Sequence, residues 1–402
     1  MRAVTADEIE LGAPLAWSVY DRAGKLLFVQ GMVLVCQAHL DIILERGLVV
    51  PESRSSGGVV LPAAVIDASG ALAEGADAAE EADDTPRVPE VPVFRAMQLL
   101  RRELRQLHDD LLACESDELG GQARELALRL QALVERDADA ALAAMQLEVG
   151  DDGDVARVLH AATLCQVLVQ AQQLDPEEGV SLVAAALTYD VALGPVAAVL
   201  NRQTGALTED QRLMIDTHPL AGVELLQAAG VDDEVWLEAV LQHHERLDGS
   251  GYPSGLDGDA ISPGARMLAI VDIYSAMVRP RAYREAIHAR HALRSLFLER
   301  GKAVDGPLAS LLVREIGVFP PGTPVRLANR EVGVVLRRGS DAARPVVARL
   351  INANGTLAAI AAHRDTAQPE YAITETVPPY KYQALVASAS ELWSSDRAMP
   401  RR

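Results

Sequence analysis

The densest group of potentially reactive side chains lies between His243 and Pro253, where the sequence reads HHERLDGSGYP. Two adjacent imidazoles, two carboxylates and a Gly-Tyr-Pro turn occur within these eleven residues. Such groups are costly to bury unless a metal ion or an ionic partner satisfies them, so the stretch predicts a metal site. The glycines and the proline end any helix here, which argues against a helical H-E-x-x-H metalloprotease site built on His244.

Other polar residues stand alone in apolar, helix-like segments elsewhere in the chain. An unpaired carboxylate or imidazole among alanines and leucines is unfavourable, so each of these residues is a candidate for a shared site. Taken singly, each histidine would more often be structural than metal-ligating. The candidates of this kind are His160, Tyr189, Asp190, His218 and Asp272.

The HHERLDGSGYP stretch resembles, at all eight fixed positions, the H-H-E-x-x-D-G-x-G-Y-P motif of the HD-GYP family. Members of that family are metal-dependent phosphodiesterases that hydrolyse the bacterial second messenger cyclic di-GMP. The resemblance is strong over roughly residues 150–300, moderate after them and weak over the first 90 residues. It implies a mainly α fold, an HD-domain helical bundle, with small β modules at the N- and C-terminal sides.

The resemblance also implies a set of metal ligands and a pair of divalent ions. Asp190 would bridge the two ions, His160 and Asp272 would complete the first, and the remaining histidines the second. Imidazole and carboxylate donors without thiolates favour iron or manganese over magnesium or structural zinc. The implied ligands are His160, Asp190, His218, His243, His244 and Asp272, and all of these except His160 are also implied to act in catalysis.

A second implied group would contact the nucleotide: Arg281, Arg284, Tyr252 and Asp248. Two guanidinium groups suit a cyclic dinucleotide, because each can bind a phosphate through two hydrogen bonds. The alternative, that the two arginines are solvated surface residues, stays open.

The chain departs from the family pattern at its defining doublet, usually H-D-x-G-K. Tyr189 precedes Asp190 in place of the histidine, and Leu193 replaces the lysine that faces the substrate phosphate in the family. The first ion would lose an imidazole, and a phenol with an ordinary pKa of about 10 is a poor substitute. Hydrolysis is therefore expected to be impaired.

Three functional hypotheses follow from this departure. The first is a phosphodiesterase that converts cyclic di-GMP to pGpG or GMP with a weakened first metal site. The second is an inactive receptor that binds the same nucleotide, or a module that docks a partner such as a diguanylate cyclase through its Gly-Tyr-Pro loop. The third is phosphohydrolase action on another nucleotide.

The net charge and the cysteine content limit the kinds of binding partner and the cellular compartment that we expect. A formal net charge of −20 argues against DNA binding, because the chain repels phosphate polymers. The three scattered cysteines lack paired spacing, which predicts a reducing, cytoplasmic location rather than a disulfide framework. The sequence has neither an N-terminal apolar signal segment nor an uninterrupted apolar run of membrane-spanning length.

The remaining sequence must position these residues, and we predict six segments. They are a β-rich module at 1–52, an acidic linker at 53–93, amphipathic helices at 94–148, the HD-GYP helical domain at 149–316, a small β domain at 317–380 and a C-terminal tail at 381–402. The first amphipathic helix carries an apolar stripe formed by Met97, Leu100, Leu104, Leu107 and Leu111. This stripe could pack on the catalytic domain or form a homodimer, and both alternatives stay open.

Overall fold

A computed structural model describes residues 91–113, 116–147, 153–194, 197, 203, 205–279, 287–301, 303–358, 362–377 and 390–393, together with four short strands within the first 50 residues. The chain divides into two compact units, Met1–Asp84 and Thr85–Arg402, and each is described by itself. Residues 53–90 of the predicted linker, which was expected at 53–93, and most of the predicted tail lie outside the described residues. The six-segment division stays a prediction.

The first unit contains a four-stranded antiparallel sheet. Its strands are β1 (Arg2–Ala3), β2 (Val19–Tyr20), β3 (Leu26–Phe28) and β4 (Val49–Val50), in the order β1-β4-β2-β3. Strands β2 and β3 pair antiparallel, with Val19 opposite Phe28 and Tyr20 opposite Leu26. The expected β content of the N-terminal side is therefore present.

The second unit is mainly helical. Its helices are α1 (Val93–Ala113), α2 (Leu119–Leu147), α3 (Gly153–Gln172), α4 (Pro176–Thr188), α5 (Glu209–Ala228), α6 (Glu234–Gln242), α7 (Pro263–Val278), α8 (Ala289–Glu299) and α9 (Gly306–Ile316). Local sequence sets where several of them begin. Asp175, Asp233 and Ser262 each accept a hydrogen bond from a backbone N–H of the first turn, and α4 and α7 also begin with proline.

Helices α3, α4, α6 and α7 pack against one another around the main core of this unit. Leu159 and Leu168 of α3, Leu187 of α4 and Ile270 of α7 are fully enclosed there. These helices are apolar around most of their circumference, as expected of helices covered on all sides. Any ionisable side chain that points inward from them therefore needs a partner.

The apolar stripe of α1 is covered within the same unit. All five of its residues are buried, and α1 packs along α2. The first alternative for the stripe, packing on the rest of the chain, accounts for this burial. The homodimer stays a prediction, but the buried stripe does not provide its contact surface.

A five-stranded antiparallel sheet follows the helices. Its strands are β5 (Pro324–Leu327), β6 (Val332–Arg337), β7 (Val346–Ile351), β8 (His363–Asp365) and β9 (Ile373–Thr376), in the order β8-β7-β6-β5-β9. Asp137, where extended backbone interrupts α2, bonds with Arg337, and Asp139 bonds with Arg338 at 2.5 Å. The predicted fold class, mainly α with small β modules on both sides, is confirmed.

No helix within the described ranges is both long and apolar enough to cross a membrane.

Candidate metal centre

The site lies where the C-terminal ends of α4 and α6 meet the interior of α3, α5 and α7. Asp190 directly follows the last turn of α4, whose end is fixed because Trp236 of α6 donates a hydrogen bond from Nε1 to Thr188 Oγ1 at 2.9 Å. His218 lies within α5 and His243 ends α6. Residues far apart in the sequence thus reach one buried region.

Four side chains form a compact group of potential metal ligands: Asp190, His218, His243 and His244, whose ligand atoms all lie within 4.8 Å of one another. Asp190 Oδ1 is 3.2 Å from His218 Nε2 and 3.9 Å from His243 Nε2. The two Nε2 atoms are 3.3 Å apart. One carboxylate oxygen and two ring nitrogens therefore converge on a common point.

Backbone contacts fix which ring nitrogens carry hydrogen. His218 Nδ1 is 2.6 Å from the Ile215 carbonyl oxygen, and His243 Nδ1 is 2.6 Å from the Val240 carbonyl oxygen. Because a carbonyl only accepts, each Nδ1 donates, and each neutral ring keeps its Nε2 lone pair directed into the group. A bound cation can accept both of these lone pairs together with the Asp190 oxygen, so these residues fit a divalent metal ion.

The protonation states also suit metal binding. Burial lowers the pKa of His243 well below its ordinary value and lowers that of His244 to about 4, so both imidazoles are neutral near pH 7. Burial opposes protonation of His218, but the hydrogen bond and charge of Asp190 outweigh it and raise the His218 pKa. Without a metal ion, a proton on His218 can satisfy Asp190.

Arg157 of α3 completes the site from the opposite side, and the sequence analysis missed it. Its guanidinium bonds with Asp190 and lies 2.5 Å from Asp272 Oδ1 and 2.9 Å from the Tyr189 hydroxyl oxygen. The side chains of Arg157, Asp190 and Asp272 are 8%, 6% and 10% exposed. A signal was present, since Arg157 is the only Asp, Glu, Lys or Arg between Asp154 and Asp175.

These contacts set the charges of the buried cluster. Burial favours a neutral Asp190, yet the charge of Arg157 outweighs it and holds the Asp190 pKa well below its ordinary value. Burial likewise opposes a charged Arg157, and the charge of Asp190 outweighs it and raises the Arg157 pKa. The two residues form a buried ion pair.

Tyr189 is a hydrogen-bond donor in this site. Its hydroxyl donates to Asp272 Oδ1 at 2.7 Å. Burial raises the pKa of Tyr189 well above its ordinary value, so the phenol keeps its proton. Leu193, the second departure from the motif, lies half-buried in the single turn Val191–Leu193 that follows Asp190.

Two of the six residues expected to bind metal lie outside the compact group of the described residues. His160 is buried in α3, where its Nδ1 lies 2.9 Å from Ser275 Oγ. Asp272 of α7 is bonded instead to Arg157 and Tyr189. The structure thus brings four of the predicted ligands together and gives the other two different partners.

The residues expected to contact nucleotide are only partly brought to the site. The ring of Tyr252 lies against His244, with centroids 4.6 Å apart. Asp248 is exposed and accepts from the backbone N–H and hydroxyl of Ser250 at 3.0 and 2.6 Å. Arg281 and Arg284 lie outside the described residues.

Glu245, a carboxylate of the motif, supports the loop rather than the ion group. It is buried, and it accepts hydrogen bonds from the backbone N–H groups of Ser254 at 2.7 Å and Leu256 at 3.0 Å. These bonds hold the Gly-Tyr-Pro loop against the end of α6. The spacing in the sequence gave no indication of this role.

Comparison with known proteins identifies relatives of this region. A family model described as "HD domain" matches residues 108–308, half of the chain. A protein named cyclic di-GMP phosphodiesterase from Pseudomonas aeruginosa is 30% identical over 219 residues, 54% of this chain and 52% of that protein. The cyclic di-GMP phosphodiesterase response regulator RpfG of Xanthomonas campestris is 31% identical over 222 residues, 53% of this chain and 58% of that protein.

A solved structure shares the fold. The chain resembles an HDG"Y"P protein from Bdellovibrio bacteriovorus with a TM-score of 0.50 and 13% sequence identity, over 77% of this chain and 97% of that one. At this identity the likeness concerns the fold alone. The chain spans little more than half the length of the two sequence relatives.

Proposed function

The chain belongs to the HD domain family, with a motif of the HD-GYP type, and on this premise we propose that it hydrolyses cyclic di-GMP in a metal-dependent reaction. The observation that carries the proposal is the compact group of buried Asp190, His218 and His243 with half-buried His244. Its donors are preset for a divalent ion, because backbone carbonyls hold two of the imidazoles with Nε2 turned inward.

Each residue has a proposed part in the reaction. Asp190 and the three histidines would hold the ion, which when bound supplies Lewis-acid polarisation of a phosphoryl oxygen. Tyr252, beside His244, offers a ring face and a hydroxyl to the nucleotide at the edge of the site. Arg157 bonds with Asp190 and Asp272 and holds both carboxyl groups in place.

Substrate capture would also involve residues outside the ion group. We assign Arg281 and Arg284 to the phosphates, on the resemblance of their motif, and exposed Asp248 to the rim of the site. The product would be pGpG or GMP.

Iron or manganese is the proposed metal. Three imidazoles and a carboxylate, without a thiolate, form a donor set that these ions favour. Two ions are the sequence-based prediction, with the first bound by His160, Asp190 and Asp272. Arg157 contacts Asp190 and Asp272, two of these three residues, and so affects how many ions the site can bind.

A receptor is the second candidate function, and the Arg157 ion pairs favour it. Arg157 bonds with both Asp190 and Asp272. Tyr189 stands in place of the family imidazole, and Leu193, in place of the family lysine, has no charge with which to bind a phosphate. A site of this kind would bind cyclic di-GMP and signal without turnover. The Gly-Tyr-Pro loop would then be the surface for a diguanylate cyclase or another signalling protein, with the cytoplasm as the compartment.

The test compares turnover with binding in the full chain. Purified protein loaded with Fe²⁺ or Mn²⁺ is incubated with cyclic di-GMP, products are separated by chromatography, and nucleotide binding is measured by calorimetry. Hydrolysis that is lost in His243→Ala and Asp190→Asn but kept in His363→Ala, an exposed histidine of β8, supports the phosphodiesterase. Binding without turnover in the wild type supports the receptor, and the absence of both contradicts the proposed ligand.

A further inference from the structure

The Arg157 guanidinium lies between the carboxylates that the first metal ion was expected to share. We propose that Arg157 takes the place of that ion, so that the site binds one divalent metal ion, on Asp190, His218, His243 and His244. The inference rests on the proposed metal site but not on its substrate. It changes the chemistry of the centre from two exchangeable dications to one metal ion beside a permanent monocation.

The two oxygens of Asp190 serve different partners. Oδ2 accepts from Arg157 Nη2, whereas Oδ1 faces His218 Nε2 at 3.2 Å. A carboxylate that bridges two metal ions presents one oxygen to each of them. Asp190 has this arrangement here, with the guanidinium on one side and the imidazole group on the other.

The arginine also occupies the second expected ligand of the first ion. Arg157 Nη1 lies 2.5 Å from Asp272 Oδ1, and the same oxygen accepts from the Tyr189 hydroxyl at 2.7 Å. The Tyr189 oxygen in turn accepts a hydrogen bond from Arg157 Nη1 at 2.9 Å, so the phenol is bonded to the guanidinium as well as to Asp272. His160, the third expected ligand, contacts Ser275 through Nδ1 and lies outside the compact ligand group. The two carboxylates expected to bind the first ion are therefore already engaged by Arg157.

Arg157 cannot make room by losing its proton. A guanidinium stays charged in proteins, unlike a lysine ammonium. A dication bound against it would meet a like charge in a region of weak solvent screening. With its side chain 8% exposed, Arg157 would also have to leave an enclosed position and abandon two buried carboxylates.

The experiment measures the number of Mn²⁺ ions bound per chain in protein that has not been exposed to substrate. Full-length wild type is loaded anaerobically with excess Mn²⁺, desalted and analysed by elemental mass spectrometry and by electron paramagnetic resonance. We expect one Mn²⁺ per chain and the hyperfine spectrum of an isolated ion. The double variant Arg157→His, Tyr189→His, which replaces the guanidinium and the phenol by imidazoles, is expected to bind two ions and to give the spectrum of a coupled pair.

Two matched variants control for charge and for loss of an arginine. Arg157→Lys keeps a cation at the site and should still bind one ion. Arg314→Ala removes an exposed arginine that pairs with Glu315 in α9, and it should leave the count at one.

Two ions in the wild type would overturn the inference whether or not the protein turns over. One ion without hydrolysis would leave the inference standing and contradict the phosphodiesterase. The absence of any bound ion would overturn the metal site and the inference together. The wild-type count decides the question even where the double variant does not fold.

Discussion

Arg157 and Asp190 form a buried ion pair in the interior of the helical unit, with side chains 8% and 6% exposed. The pair joins α3 to the end of α4, and through Asp272 it extends to α7. Charges in such a position are tolerated only because each is bonded to the other. The stability and the metal chemistry of this centre therefore depend on the same contact.

The first prediction concerns Arg157→Ala. The variant leaves Asp190 and Asp272 buried without their cation, which typically costs about 3–5 kcal/mol of unfolding free energy. Urea unfolding of the metal-free protein should detect the loss. Arg157→Lys should recover part of it, because the ammonium keeps the charge but lacks the planar fork of donors. Equal stability of wild type and Arg157→Ala would contradict the buried pair.

The second prediction concerns pH. Burial lowers the pKa of folded His244 to about 4, against about 6.5 in the unfolded chain. The unfolded chain therefore binds more protons between these values, so the contribution of His244 is fully present above pH 6.5 and is lost as pH falls towards 4. The unfolding free energy of chelator-treated protein should drop between pH 7 and pH 5.

His244→Gln is the matched variant for this pH dependence. It removes the titrating group and should flatten the change between the two pH values. The raised pKa of His218 acts in the opposite direction, because that contribution is present below about pH 6.5 and is lost as pH rises through its folded pKa. An unchanged slope in His244→Gln would count against a buried neutral His244.

The third prediction concerns restoration of the family pattern. Tyr189→His with Leu193→Lys supplies the missing imidazole and a cation, but Arg157 still holds Asp190 and Asp272. We expect little gain in kcat for cyclic di-GMP from this pair alone. Adding Arg157→His should raise kcat at least tenfold above the pair, measured as pGpG released with Mn²⁺. Full activity in the pair without the third change would show that Arg157 does not block an ion.

The fourth prediction concerns Glu245, whose hydrogen bonds hold the Gly-Tyr-Pro loop. Glu245→Ala removes the acceptors of the Ser254 and Leu256 backbone N–H groups and should cost about 1–3 kcal/mol. Because Glu245 does not belong to the ion group, the metal content should not change. Limited proteolysis should cut the Gly-Tyr-Pro loop faster than in wild type. A loss of metal with an intact loop would assign Glu245 to the ion instead.

The sequence predicted the parts of the fold and site that leave local or compositional signals. The α1 stripe and both β modules follow from periodicity, whereas the resemblance carried by the motif implied the helical unit and the grouping of Asp190, His218, His243 and His244 as ligands. Nothing in the linear sequence indicated which of two polar residues in one helix points to the site.

The helix α3 shows why that choice needed coordinates. His160 and Arg157 are three residues apart, almost one turn, and both are buried. His160 was predicted as a ligand because an imidazole commonly binds metal ions. In the structure it is the guanidinium of Arg157 that contacts Asp190 and Asp272. Arg157 matters through contacts with residues 33 and 115 positions away, which only the packed helices bring together.

The interruption of α2 at Asp137 has a mechanical consequence for the C-terminal sheet. Asp137 caps the second half of the helix by accepting from the Ala140 N–H, and it also holds Arg337 at the end of β6. The same carboxylate, that of Asp137, thus stabilises the second half of the helix and its contact with the sheet. A substitution of Asp137 would therefore remove a contact of the helix and a contact of the sheet at the same time.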